Sequence, residues 1–335
     1  MKKKNRTIII AEAGVNHNGS ISSALKLVDI AAKSKADYVK FQTYNTEDLV
    51  QTKLGLAKYQ RKKKISSQYA LLKKYELSES DHLKIIKKCK EKKIKFLSSP
   101  FDLKSIDLLK KLKLKLIKIP SGEVTNVPYL RKIGSLKKKI ILSTGMSDFL
   151  EVKKAIKILT ASGTKKNNIT ILHCSTEYPA NLKKLNLLSI QHLKEKLKID
   201  VGYSDHSLGL QASLTAVTLG AKIIEKHFTI NKKLSGPDHK ASLSPIELTN
   251  LVKSIREVEL SLGKKSKNPS LEEMENSKFI RKFIVAKKKI FKGEKFSEKN
   301  IITKRALIGI PASKWDQIIG KKSKRNYLYN ENIKN

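Results

Sequence analysis

Val201-Gly202-Tyr203-Ser204-Asp205-His206 and Ile223-Ile224-Glu225-Lys226-His227-Phe228, separated by an apolar helix-period segment at 208–219, decide the fold. Side chains in a strand alternate faces, so Ile223, Glu225 and His227 share one side of the second run and Ile224, Lys226 and Phe228 the other. Strand, helix, strand in this order predicts parallel strands joined by a crossover helix. Both runs are apolar enough to be buried, yet they carry Glu225, His206 and His227. Uncompensated burial of such groups costs several kcal/mol, so they are expected to be paired, to ligate a metal or to lie at a wet strand end. His206 and His227 are therefore candidate neutral-imidazole ligands at the ends of neighbouring strands.

The same alternation extends outward over most of the chain. Short β-rich runs stand at 7–13, 37–42, 94–98, 116–119, 140–143, 169–174, 200–204 and 223–228. Helix-period segments stand at 22–34, 79–92, 103–112, 148–161, 189–197, 208–219 and 245–262. Eight strands predict a closed (β/α)8 TIM barrel of the α/β class over residues 1–262. An open dinucleotide-binding sheet would carry G-x-G-x-x-G after its first strand, and Glu12-Ala13-Gly14-Val15-Asn16-His17-Asn18-Gly19 does not match. The oversized connection at 43–78 has the length of a lid over the barrel mouth. Residues 263–278 have linker composition, and 279–335 read as a small, mainly β domain that leans on a partner surface.

Composition narrows the setting. The chain has 335 residues, 39% of them hydrophobic, enough for a sizeable core. Its two cysteines, Cys89 and Cys174, have neither ligand nor disulfide spacing and fit a reducing, cytoplasmic compartment. The basic start followed by Thr7-Ile8-Ile9-Ile10-Ala11 imitates a signal peptide, but Glu12 cuts the apolar run short. No apolar stretch reaches the roughly 18 residues of a membrane span. The net charge of +41 raises nucleic acid as a partner, but the lysines are spread along the whole chain, mostly on the polar sides of helices, and no nucleic-acid-binding motif accompanies them.

Barrel enzymes gather their reactive groups at the C-terminal ends of the strands. Those ends here carry Glu12; Lys40 and Gln42; Ser99; Lys118, Ser121 and Glu123; Ser143-Thr144-Gly145; Thr176 and Tyr178; Ser204 and His206; Glu225 and His227. Structural pressure alone would fill such positions with branched aliphatics. Two lysines with Ser99, Ser121 and Ser204 suit a phosphate or carboxylate. Two histidines without a third protein ligand suit an open divalent-metal site, with Glu225 as a supporting group one step deeper. Glu12, Glu123, Tyr178 and Asp238 remain for hydroxyl recognition and proton transfer. His239 has no assigned role and is expected at the surface or behind a ligand.

The chain also resembles the sialic acid synthases. The resemblance rests on Glu12 with Asn16-His17-Asn18-Gly19, Val39-Lys40-Phe41-Gln42-Thr43, Lys118-Ile119-Pro120-Ser121-Gly122-Glu123, Leu142-Ser143-Thr144-Gly145-Met146, residues 172–179, residues 202–206, Glu225 to Thr229 and Gly236-Pro237-Asp238-His239. The C-terminal segment looks like the antifreeze-like SAF domain of that family. The resemblance implies condensation of phosphoenolpyruvate with N-acetylmannosamine and water to N-acetylneuraminate and phosphate, with C–O cleavage. It implies that His206 and His227 hold Mn²⁺, or Mg²⁺ or Co²⁺ in its place. Lys40, Ser99, Lys118, Ser121, Thr176 and Ser204 would bind phosphoenolpyruvate; Glu12, Gln42, Glu123, Tyr178 and Asp238 would hold the sugar or the attacking water. Arg305 would reach the sugar in the partner's barrel, which implies a homodimer with each SAF domain capping the other barrel. Lys304-Arg305-Ala306-Leu307 departs from the family's usual Lys-Arg-Pro-Gly and loses the stiffness of Pro and the freedom of Gly.

Two alternatives stand beside this reading. A legionaminate synthase would run the same chemistry on 2,4-diacetamido-2,4,6-trideoxymannose, a choice resting on a few pocket contacts of about 1–3 kcal/mol each. A basic, non-catalytic barrel would bind nucleic acid or acidic polymer with a steep salt dependence.

Overall fold

A computed structural model describes residues 6–55 and 67–334. Residues 1–5, 56–66 and 335, and with them the middle of the expected lid, lie outside the described residues. By internal contacts the chain divides between Gly263 and Lys264 into two units.

The first unit is built on eight parallel strands: β1 (Ile8–Gly14), β2 (Tyr38–Thr43), β3 (Lys95–Pro100), β4 (Leu116–Ile119), β5 (Lys139–Ser143), β6 (Ile169–Cys174), β7 (Asp200–Asp205) and β8 (Ile223–His227). Their order is β3-β2-β1-β8-β7-β6-β5-β4, and the two end strands, β3 and β4, lie side by side and close the barrel. A helix follows every strand. The one after β5, Phe149–Ala161, shows how the sequence specifies them. Asp148 and Glu151 form a capping box, and Val152, Ala155, Ile156 and Leu159 bury one face against the sheet.

The helix Val127–Ser135 after β4 has no counterpart in the sequence reading. Its Pro128 falls in the first turn, where a missing N–H costs nothing, and the Asn126 side chain accepts from Tyr129 N at 3.3 Å. Part of the expected lid is helical, Gln68–Tyr75. Leu71 and Tyr75 there pack on Val15 in the loop after β1.

Strand alternation divides the barrel wall cleanly. Residues pointing outward, such as Ile9, Val39, Ile117, Ile140, Ile171, Val201 and Ile224, meet the helices. Those pointing inward form an apolar floor of Ile10, Leu97, Ile141, Leu172 and Ile223. Two residues further along each of these strands the inward position turns polar: Glu12, Ser99, Ser143, Cys174 and Glu225. Lys40, Lys118 and Ser204 complete the set on β2, β4 and β7. The floor fixes the strands by apolar burial, and the layer above it is free to carry chemistry.

The second unit pairs β9 (Lys282–Ala286) with β10 (Ile301–Arg305) in antiparallel register. Ile284, Ala286, Ile290, Phe296, Ile301, Ile310, Ile318, Tyr327 and Ile333 form its own core. The stretch expected as linker contains the helix Leu271–Ile280. Ser270 and Glu273 cap it reciprocally, and this satisfies the first backbone donors of a helix that buries none of its side chains.

Candidate active site

The polar layer inside the barrel is an ion-pair network. Lys40 Nζ lies 2.7 Å from Glu12 Oε2 and 3.6 Å from Glu225 Oε2, and donates to Ser99 Oγ at 3.1 Å. Lys118 Nζ lies 3.4 Å from Glu225 Oε1, which also accepts from Ser204 Oγ at 3.0 Å. Each of these charged side chains is at most 6% exposed. Two ammonium and two carboxylate groups balance, but they are not saturated. Oε1 of Glu12 is buried without a partner, and Oε2 of Glu225 has only the long contact to Lys40. In a low-dielectric interior such atoms mark a place where a ligand or water completes the shell.

The two lysines set the buried carboxyl groups apart. Burial pushes Glu12 up to about 7 against the pull of Lys40, with Glu225 adding to the rise. Burial would raise Glu225 as well, but Lys118 and Lys40 together bring it down to about 2. A carboxylate held charged by two lysines therefore lies one strand away from a carboxyl whose ionisation burial opposes.

Above this layer stand the two histidines, with ring centroids 5.5 Å apart. Tyr178 stacks on His206 at 4.1 Å and meets the edge of His227 at 5.8 Å. His206 Nδ1 is hydrogen-bonded to the Ser175 carbonyl, which sets a tautomer with the lone pair on Nε2. His227 Nδ1 is buried with no hydrogen-bond partner, and Asp238 Oδ2 lies 3.9 Å away. Burial holds His227 well below the ordinary imidazole value. Burial also disfavours charge on His206, but Cys174 and Ser175 outweigh it and raise the group. Among the described residues no three His, Cys, Asp or Glu form a metal cluster. Two imidazoles, one with an orphaned nitrogen, nonetheless fit an open site whose remaining ligands are water and substrate.

Glycines let the loops close on this site. Gly14 sits at φ +50, after an irregularity in the β1–β2 register, and a side chain there would meet His227 Cε1 at 3.1 Å and Glu12 Oε1 at 3.2 Å. A Cβ on Gly145 would fall 2.6 Å from Thr176 Cγ2 and 3.0 Å from Ser121 Oγ. Without it, Gly145 N donates to Ser121 Oγ at 2.9 Å.

Glu12, Lys40, Ser99, Lys118, Ser204, His206 and His227 are thus one buried assembly. Ser121 joins it through Cys174, with Thr176 packed beside Gly145 next to both, and Tyr178 and Asp238 join through the histidines. Gln42 is half-buried at the end of β2. Glu123 lies in the turn Ser121–Glu123, accepting from Asn126 Nδ2 at 2.6 Å, and burial raises its carboxyl. Arg305 is exposed at the end of β10 in the second unit.

Three residues named in the sequence had no role assigned there. Ser143 points inward with a buried Oγ that has no hydrogen-bond partner, and Cys174 lies 4.0 Å from His206 Nδ1. Strand parity with Ile141 and Leu172 puts both on the inward face. His239, expected at the surface or behind a ligand, is fully buried. Its ring bridges Thr229 Oγ1 at 2.7 Å and Asn18 Oδ1 at 3.2 Å, so it ties together the loops that follow β1 and β8.

Comparison with known proteins agrees with this geometry. Residues 27–267 match the NeuB family and residues 281–327 the SAF domain. The chain is 50% identical over 331 residues to the N,N'-diacetyllegionaminic acid synthase of Campylobacter jejuni subsp. jejuni serotype O:2, covering 98% of this chain and 99% of that protein. It is 43% identical over 322 residues to the synthase of the same name from Legionella pneumophila subsp. pneumophila, covering 95% and 90%. A crystal structure of N-acetylneuraminic acid synthetase from Leptospira borgpetersenii serovar Hardjo-bovis, in complex with citrate, is similar at TM-score 0.73 and 34% identity, covering 81% of this chain and 90% of that one.

Proposed function

The chain belongs to the NeuB family, and from that premise we propose that it is an N,N'-diacetyllegionaminic acid synthase, condensing phosphoenolpyruvate with 2,4-diacetamido-2,4,6-trideoxymannose and water. It is an enzyme, a transferase of the sialic acid synthase type. The observation that carries the chemistry is the pair of buried lysines, Lys40 and Lys118, beside two histidines at one barrel mouth. The acceptor is argued from identity: the two legionaminic acid synthases stand at 50% and 43%, the N-acetylneuraminic acid synthetase at 34%. N-acetylmannosamine, the acceptor expected from the sequence, becomes the runner-up.

In this reading Lys40 and Lys118, with Ser99, Ser121, Thr176 and Ser204, clamp the carboxylate and phosphate of phosphoenolpyruvate. Ser143 extends the same set of hydroxyls. The sugar enters as its open-chain aldehyde against Gln42, Glu123, Tyr178 and Asp238. Enol C3 attacks the aldehyde carbon and forms the new C–C bond, leaving a cation at C2. Water adds at C2 and gives up a proton, and the tetrahedral intermediate expels phosphate by C–O cleavage. Glu12, its carboxyl raised by burial, would take that proton or supply one to the aldehyde oxygen. His206 and His227 would hold a divalent ion, Mn²⁺ or Mg²⁺ or Co²⁺ in its place, supplying Lewis-acid polarisation of the aldehyde. Fixed cations around a buried, multiply charged substrate do the rest by positioning and electrostatics. A homodimer in which Arg305 serves the sugar of the partner subunit, and a cytoplasmic location, complete the proposal.

Phosphate release from phosphoenolpyruvate, measured with each acceptor in turn and with and without chelator, tests it. The diacetamido sugar should be preferred and chelation should stop the reaction. Preference for N-acetylmannosamine restores the runner-up, and release from neither acceptor sinks the reading.

A further inference from the structure

Glu225 has no part in the chemistry above, yet it touches three of the residues assigned to phosphoenolpyruvate. Oε1 accepts from Ser204 Oγ at 3.0 Å and lies 3.4 Å from Lys118 Nζ, while Oε2 lies 3.6 Å from Lys40 Nζ. Glu12 reaches only Lys40, so among the described residues Glu225 alone forms ion pairs with both ammonium groups. Those two cations are buried in one barrel and repel each other; a carboxylate between them offsets the repulsion and sets their separation. Its contacts are also loose. At 3.4 and 3.6 Å they exceed the roughly 2.7–2.9 Å of a charge-assisted bond, so the donor that each ammonium group turns toward Glu225 is only weakly engaged, although Lys40 also meets Glu12 at 2.7 Å and Ser99 at 3.1 Å. Two lysines bridged by one loosely held carboxylate match a ligand that carries both a carboxylate and a phosphate. Among the described residues no ion pair joins Glu225 to His206 or His227.

We infer that Glu225 is a positioning residue, holding Lys40 and Lys118 at the spacing that phosphoenolpyruvate requires and acting on that substrate only through the two ammonium groups. The inference rests on the functional reading above. Its test is calorimetric binding of phosphoenolpyruvate to the metal-loaded, full-length protein without sugar, paired with steady-state kinetics and metal analysis. Glu225→Gln should weaken phosphoenolpyruvate binding by about 10- to 100-fold, with the sugar KM and the bound metal unchanged. Lys118→Met should weaken binding by itself, and adding Glu225→Gln to it should weaken binding by less than that change does in the parent, because only the hold on Lys40 is left to lose. Glu225→Asp keeps the charge and shortens the reach by one methylene; it should fall between, and it supplies the readout if the Gln variant does not fold. Unchanged phosphoenolpyruvate affinity in both Glu225 variants, additivity with Lys118→Met, or metal loss equal to that of His206→Ala overturns the inference alone. No binding to the unsubstituted protein overturns the functional reading and this inference with it.

Discussion

Strands β7 and β8 carry two buried lysine–carboxylate systems on opposite faces of one wall, and the two are built to different standards. On the outer face Lys226 Nζ meets Asp205 Oδ2 at 2.7 Å and the Ser207 carbonyl at 2.8 Å. Asp205 also accepts from Ser207 N at 2.9 Å and from Ser207 Oγ and Ser213 Oγ, each at 2.6 Å. Neither partner is left with an unpaired oxygen, and both side chains are at most 2% exposed. On the inner face Lys40 holds Glu12 at 2.7 Å, but Glu225 meets Lys40 and Lys118 only at 3.6 and 3.4 Å, and Glu12 Oε1 and Glu225 Oε2 accept no hydrogen bond. The neighbours in sequence, Ser204 with Asp205 and Glu225 with Lys226, differ only in which side of the pleat they occupy. The outer set is closed and serves the fold. The inner set is open, and that openness is what a substrate site requires.

The largest expected effect tests the closed side. Lys226→Ala strands Asp205 as an unpaired buried charge and should cost roughly 3–5 kcal/mol in urea unfolding, whereas Asp205→Leu with Lys226→Met, which removes both charges together, should cost far less. Equal losses in the two proteins would show that packing, not charge compensation, dominates there.

A smaller effect separates the groups on the open side by pH. Glu12 has its folded pKa raised from 4.5 to about 7, so its contribution to stability is complete below pH 4.5 and is lost as pH rises toward 7. His17, buried after β1, is lowered from 6.5 to about 4 by burial, so its contribution is complete above pH 6.5 and is lost as pH falls toward 4. The two slopes oppose each other. Glu12→Gln removes the first, and unfolding free energy should then rise more steeply between pH 4.5 and 6.5, by on the order of 2 kcal/mol across that interval. Identical pH profiles in variant and parent would remove Glu12 as the group that titrates near neutrality.

Much of this was legible in the sequence because strand periodicity is a local signal. The run Ile223 to Phe228 shows its two faces without a structure, and His206, His227, Lys40 and Lys118 were found by placing polar residues at strand ends. Partnerships were not legible. Nothing local says that Glu225 reaches Lys40 and Lys118 across the barrel, or that Lys226 pairs with Asp205 rather than facing a ligand, because closure of the sheet creates those contacts. His239 misled because its sequence context is a loop, and its burial comes from Thr229 and Asn18, the latter 221 positions away. The helix Leu271–Ile280 was missed although Ser270 and Glu273 spell a capping box, since its flanks have the composition of a linker. The excess of lysine fits a solvated surface: Lys87, Lys110 and Lys137, for example, are exposed on or beside the barrel helices.

Binding of phosphoenolpyruvate, compared between Lys118→Met and the paired variant Asp205→Leu with Lys226→Met, tests the difference between the two faces most directly. Lys118→Met should lose about 100-fold or more in affinity, as expected when a charge-assisted contact to a buried anion is removed. The paired outer variant should bind within about twofold of the parent, since a closed pair contributes nothing to the ligand. Comparable losses in both, or a loss confined to the outer variant, would contradict the account.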